Sequence, residues 1–202
     1  LREVAEQIVQ AKNPVLITGM VGRKKDTWKS VVSFAELLGL SVIDQGLRFN
    51  IPNIHPLTVT GAEKEVLQQA DLVIALDVLD LYWALTRLSD RHERLLNPRA
   101  KVVCIGLEDF TIRSWGEARR LVTTHLSIIA DTSIALPEME KLASQIIARD
   151  AVARKRIEDR SVGIRRRHGE VRDRWRKEAE RHWDDKPVSL PRLLLELKDL
   201  LA

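Results

Sequence analysis

Cysteine is nearly absent from this 202-residue chain. Cys104 stands alone, so no disulfide framework can form and no set of thiolates exists for a zinc cluster. Long apolar runs are missing too. None approaches the roughly 18 to 20 residues that cross a bilayer, and the opening Leu1-Arg2-Glu3-Val4 has neither Met nor the apolar stretch of a secretory leader. These absences predict a soluble protein in a reducing, cytoplasmic setting, cut from something longer. A core is affordable, because 45% of the residues are hydrophobic, which excludes a disordered chain.

Charge is present but unevenly placed. The chain carries a net +4, yet residues 149 to 183 hold 13 Lys and Arg against 7 Asp and Glu, so the remainder is weakly acidic.

Before that basic stretch, short apolar runs alternate with helical periodicity. Val4, Ile8, Val9 and Ala11 share one helical face, and Pro14-Val15-Leu16-Ile17-Thr18 then reads as a buried strand. Trp28, Val31, Val32, Ala35 and Leu38 recur at helical spacing, and Gly39 closes that segment as a C-cap glycine. Ser41 to Asp44 restarts as a strand, residues 62 to 70 as a short helix, and Asp71 to Asp77 as a strand buried on both faces. Residues 80 to 96 predict a helix, Lys101 to Gly106 a fourth strand and Leu126 to Asp131 a fifth. The alternation predicts a Rossmann-like α/β fold: a doubly wound, mostly parallel sheet of five to six strands with helices on both faces, followed by a long charged helical segment.

In such a sheet the ligand crevice lies beyond the carboxyl ends of the strands, where strand order reverses. The loops beginning at Gly19, Gln45, Asp77 and Gly106 are therefore the candidates. Gly19-Met20-Val21-Gly22-Arg23-Lys24-Lys25 has the strand-to-helix setting and the cations of a phosphate loop, but its glycine spacing matches neither a dinucleotide fingerprint nor a P-loop. Backbone turning explains those glycines equally well. Asp77 has two roles open to it, a ribose-hydroxyl acceptor or a helix-initiating or solvated carboxylate. His55 reads as a structural loop histidine and Cys104 as an inert core thiol. No catalytic constellation or metal site can be assembled from the residue types and their spacing.

Ala11-Lys12-Asn13-Pro14-Val15 through Gly19, followed by Ala35-Glu36-Leu37-Leu38-Gly39 through Val42, resembles the opening strand and the helix-to-strand junction of the central domain of thiamine diphosphate-dependent enzymes of the acetolactate synthase, pyruvate decarboxylase and benzoylformate decarboxylase type. Gln45-Gly46 through Ile51-Pro52-Asn53-Ile54-His55-Pro56-Leu57 and Gly61 resembles its "G-x-x-P-x-x-H-P-L" loop. Ala70-Asp71-Leu72-Val73 and Ile129-Ala130-Asp131 resemble two later strand signatures, so the likeness covers about residues 1 to 145.

The resemblance implies a parent enzyme that makes or breaks a carbon–carbon bond beside the carbonyl of a 2-oxo acid. It implies thiamine diphosphate and magnesium held by a pyrimidine-binding and a diphosphate-binding domain, in a homo-oligomer, with this segment inactive alone. The family's Gly-Asp-Gly magnesium signature does not occur in this chain. Central domains of the family either hold FAD or ADP or serve as scaffold. Gly19, Gly22, Arg23, Gln45, Gly46, Arg48 and Asp77 would form the nucleotide crevice, while Met20-Val21 between the glycines and a carboxylate at Asp77 favour scaffold.

Three segments are expected: a central domain over 1–148, a charged helical linker over 149–185, and over 186–202 the start of a following diphosphate-binding domain. In the linker Trp175 and Trp183 fall on one helical face beside Arg165-Arg166-Arg167. One reading is a nucleic-acid or protein module with aromatic platforms. The interspersed acids favour the other, a solvated linker whose tryptophans dock on neighbouring domains. A nucleotide-dependent deacylase of similar fold is disfavoured by the missing zinc-ribbon cysteines.

Overall fold

The computed structural model describes residues 1–21, 24–89, 95–107 and 122–201. Helix α1 (Arg2–Gln10) leads into β1 (Pro14–Thr18), α2 (Thr27–Leu38), β2 (Ser41–Asp44), α3 (Glu63–Gln69), β3 (Leu72–Leu76), α4 (Leu81–Thr86), β4 (Lys101–Gly106) and β5 (Leu126–Ile129). Three helices follow: α5 (Thr132–Ala148), α6 (Ala151–Arg181) and α7 (Leu190–Leu201).

The five strands form one parallel sheet in the order β2-β1-β3-β4-β5. Every residue of β1 and β3 is buried, as central strands require, whereas the edge strand β5 alternates between partly buried and exposed positions. Because the chain leaves β1 toward one edge through α2 and returns to β3 through α3, right-handed crossovers put those two helices on opposite faces. Helix α5 packs beside α1 and α2, completing the thicker face. Two further features follow from single residues. Gly39 ends α2 in the left-handed conformation, at φ 57°. Asp131 is the N-cap of α5, its Oδ1 accepting from the Ser133 amide at 2.8 Å, so β5 stops two residues before the expected end.

Helix α4 stops short of the helix expected over 80 to 96, of which residues 90–94 lie outside the described residues. It closes at Thr86, whose hydroxyl donates back to the Tyr82 carbonyl at 2.8 Å, and the chain turns through Ser89. Cys104 is half-buried on β4 rather than deep in the core.

The charged segment folds as one 31-residue helix that lies on the domain instead of standing in solvent. Ala153, Ile157, Ile164, Val171 and Ala179 form its buried stripe. Its arginines cap other helices, where unsatisfied carbonyls carry partial negative charge. Arg160 donates to the carbonyls of Ile8, Ala11 and Leu38, at the ends of α1 and α2, and Arg156 to those of Val9 and Gln10. Arg167 reaches Gln69 Oε1 at the end of α3. Helix α6 therefore crosses the edge of the sheet where the strands begin. Burial lowers the Arg160 guanidinium to about 10, with the neighbouring Arg156 adding to the effect, and leaves it cationic at neutral pH.

Trp175 rests against Gly61, the only residue type that fits there: φ is +88° and a Cβ would approach the indole to 2.7 Å. Arg172 covers the ring at 5.2 Å, and Arg192 covers Trp183 at 4.8 Å. Both tryptophans thus have partners within this chain, although they stay 42% and 37% exposed.

Candidate functional site

With strand order 2-1-3-4-5, the reversal falls between β1 and β3, and their carboxyl ends define the crevice. Gly19, Gln45, Gly46, Arg48 and Asp77 all lie along this edge, as the sequence implies. Gly22 and Arg23 lie outside the described residues.

The crevice is closed by backbone. A Cβ on Gly19 would sit 2.2 Å from the Asp77 carbonyl oxygen, so only glycine lets the two loops approach this closely. The Gly19 amide donates to the Leu76 carbonyl at 3.0 Å and the Met20 amide to the Asp77 carbonyl at 2.9 Å. On the other side the Gln45 amide donates to the Thr18 carbonyl at 3.0 Å, and the Gly46 amide to Asp44 Oδ1 at 3.3 Å.

Asn50 holds the centre. Fully buried, it donates from Nδ2 to the Gly19 carbonyl and to Asp44 Oδ1, both at 2.7 Å, and to the Arg48 carbonyl at 3.1 Å. Its Oδ1 accepts from the Val21 amide at 3.0 Å. One side chain thereby ties the loop after β1 to the loop after β2. Sequence reasoning missed it, because a buried asparagine inside a loop breaks no periodicity. Phe49, largely exposed, sets its ring edge-on to Trp28 of α2, with centroids 5.4 Å apart.

Asp77 occupies the left-handed region at φ 46° and is 7% exposed. Its carboxylate accepts from the Thr132 hydroxyl in the first turn of α5, where the helix N-terminus favours negative charge. It acts as a clasp between β3 and α5. His55 also has a structural role: Nδ1 accepts from the Leu57 amide at 3.3 Å, so Nε2 carries the proton that faces Glu36 Oε1 at 3.1 Å.

The consequence for ligands is direct. A phosphate cradle needs backbone amides pointing outward at a loop; among the described residues those of 19, 20, 21 and 45 are engaged by protein acceptors within the crevice, and that of Gly46 by the Asp44 carboxylate at the surface. Among the described residues no three His, Cys, Asp or Glu side chains come together as a metal-binding group.

A doubly wound sheet hosts many chemistries, and the family is decided by the sequence match. Residues 1–139 match the family model of the thiamine pyrophosphate enzyme central domain. The chain belongs to this family. Among curated proteins none matches. Among solved structures, a Mycobacterium smegmatis protein provisionally designated a thiamin diphosphate-dependent enzyme superposes with a TM-score of 0.50 at 22% identity, over 70% of this chain and 27% of its own. Benzoylformate decarboxylase from Polynucleobacter necessarius gives 0.51 at 21% identity, over 70% and 26%. The chain thus spans about a quarter of the length of these proteins, and the likeness establishes the fold. Among the described residues no helix is long and apolar enough to cross a membrane.

Proposed function

We propose that this thiamine pyrophosphate enzyme central domain is a scaffold: it organises an enzyme acting on 2-oxo acids and binds no nucleotide itself. Thiamine diphosphate and magnesium are held by pyrimidine-binding and diphosphate-binding domains elsewhere in the parent enzyme, a cytoplasmic homo-oligomeric transferase or lyase. Residues 1–148 form the central domain, 149–185 its charged helical extension, and 186–202 lead toward the diphosphate-binding domain. Nucleic acid is no partner in this reading, since the arginines at 156, 160 and 172 are engaged with the domain's own acceptors.

The observation that carries the scaffold assignment is the inward use of the crevice amides, with Asn50 filling the space between the loops. FAD and ADP both present a diphosphate, which would find the Asp77 carboxylate nearby and few donors to replace its hydration. Calorimetric titration with FAD, ADP and NAD is expected to give no saturable heat at millimolar ligand. Micromolar, saturable binding of any one of them would overturn the scaffold assignment and make the crevice a nucleotide site.

A further inference from the structure

The opposite edge of the sheet carries a separate feature. Between α6 and the starts of β1 and β2 lies a cavity of about 300 Å³ whose wall includes Lys12, Arg160, Arg166 and Arg167 but only one carboxylate, Asp159. That carboxylate is held by Lys155, at 2.8 Å. Asp71, close by, spends both oxygens on the amides of Lys12 and Asn13, at 2.7 and 2.9 Å. Glu170 approaches Arg166 at 3.6 Å on the exposed side.

Not all of this positive charge is available, because Arg160 offsets the carbonyl ends of α1 and α2. Its buried Nε nevertheless has no hydrogen-bond partner. Among the described residues Arg167 donates to a neutral amide oxygen, Gln69 Oε1 at 3.1 Å, and to no carboxylate. The wall also has a gap. Gly163 sits in mid-α6, where glycine costs helix stability, and a Cβ built on it would meet nothing within 4 Å. A helix position that gives up stability and leaves open space beside cations has the form of a ligand recess.

We propose that this cavity binds a small phosphate-bearing anion, held by Lys12, Arg166 and Arg167 and accommodated over Gly163. A dianion is favoured over a carboxylate because the excess of positive charge exceeds one and because guanidinium groups match phosphate oxygens in paired contacts. The site makes no use of the crevice, so it stands or falls independently of the scaffold assignment.

The test is titration of the 202-residue chain with inorganic phosphate and with glycerol 3-phosphate at low ionic strength, following the backbone amide signals of Gly163, Gly39 and Gly46. Saturable shifts at Gly163 and Gly39, with Gly46 unmoved, are expected, and acetate should produce none at equal concentration. Preference between the two ligands tells free phosphate from a phosphate ester. Arg167→Gln and Lys12→Gln are each expected to weaken binding about tenfold, as for the loss of one charge-assisted contact. Gly163→Leu provides the folding control: it should raise the melting temperature by removing a helix glycine and abolish binding by filling the recess. Shifts that do not saturate, equal binding of acetate, or unchanged binding in Gly163→Leu would each overturn the proposal.

Discussion

The two edges of one parallel sheet are finished in opposite ways. At the carboxyl edge, loops are drawn together by backbone amides, a buried asparagine and a glycine that tolerates contact with another chain segment. At the amino edge, a single long helix lies across the ends of three others, capping α1 and α2 with arginines and reaching the Gln69 side chain at the end of α3. The first edge is where this topology ordinarily binds ligands, and here the amides of residues 19, 20, 21, 45 and 46 have protein acceptors. The second is ordinarily structural, and here it keeps cations over a cavity. Strand order therefore locates a crevice, but the fate of the loop amides decides whether it can hold anything.

Substitutions can break either edge separately. The largest effect is expected from Gly19→Ala, because the new Cβ meets a carbonyl oxygen of the backbone, which cannot rotate away. A loss of about 4 kcal/mol, or failure to fold, should appear in urea denaturation. Arg160→Met breaks the other edge: three carbonyls lose a cationic donor, and the cost should be about 3 kcal/mol by the same measurement. If it instead costs less than about 1 kcal/mol, α6 is an appendage and the contrast between the edges collapses.

Asn50→Ala sharpens the comparison, since it removes the tie between two loops without touching a strand. The Val21 amide and Gly19 carbonyl lose their partner, for an expected loss of about 2 kcal/mol in thermal or urea unfolding.

The smallest effect lies at neither edge. Glu140 of α5 is pushed above the ordinary 4.5 by burial against α2, only partly offset by the Ser33 hydroxyl that donates to it at 3.2 Å. A carboxyl raised on folding binds its proton more tightly in the native state. Its contribution is therefore most favourable at low pH and declines as pH rises from about 4.5 through the higher folded value. Glu140→Gln should accordingly stabilise the protein at neutral pH, by no more than a small amount because solvent screens this partly exposed group, with no gain at pH below the ordinary carboxylate range.

Much of the fold was legible because buried parallel strands are unbroken apolar runs: Pro14 to Thr18, Leu72 to Leu76 and Lys101 to Gly106 stand out from their neighbours. The seating of α6 was legible in principle, since Ile157, Ile164 and Val171 recur every seven residues. The stripe is thin, one apolar residue per two turns among many charges, and so stands out little from a solvated helix. Which arginines cap which helices could not be read, because that depends on how α6 crosses the domain. That Gly19, Gln45, Gly46, Arg48 and Asp77 lie at the carboxyl edge follows from the strand pattern, but Asn50 and the hydrogen bonding of the loop amides follow from three-dimensional closure, which leaves no trace in spacing.

The most direct measurement is amide hydrogen exchange at Gly19, Met20 and Val21, with and without ADP or FAD. Donors spent on protein acceptors in a closed crevice should exchange slowly, close to the rates of the adjoining β1 strand, and the nucleotides should change nothing. Fast exchange in the free protein that becomes protected on adding nucleotide would contradict the account, because those amides would then be waiting for a ligand.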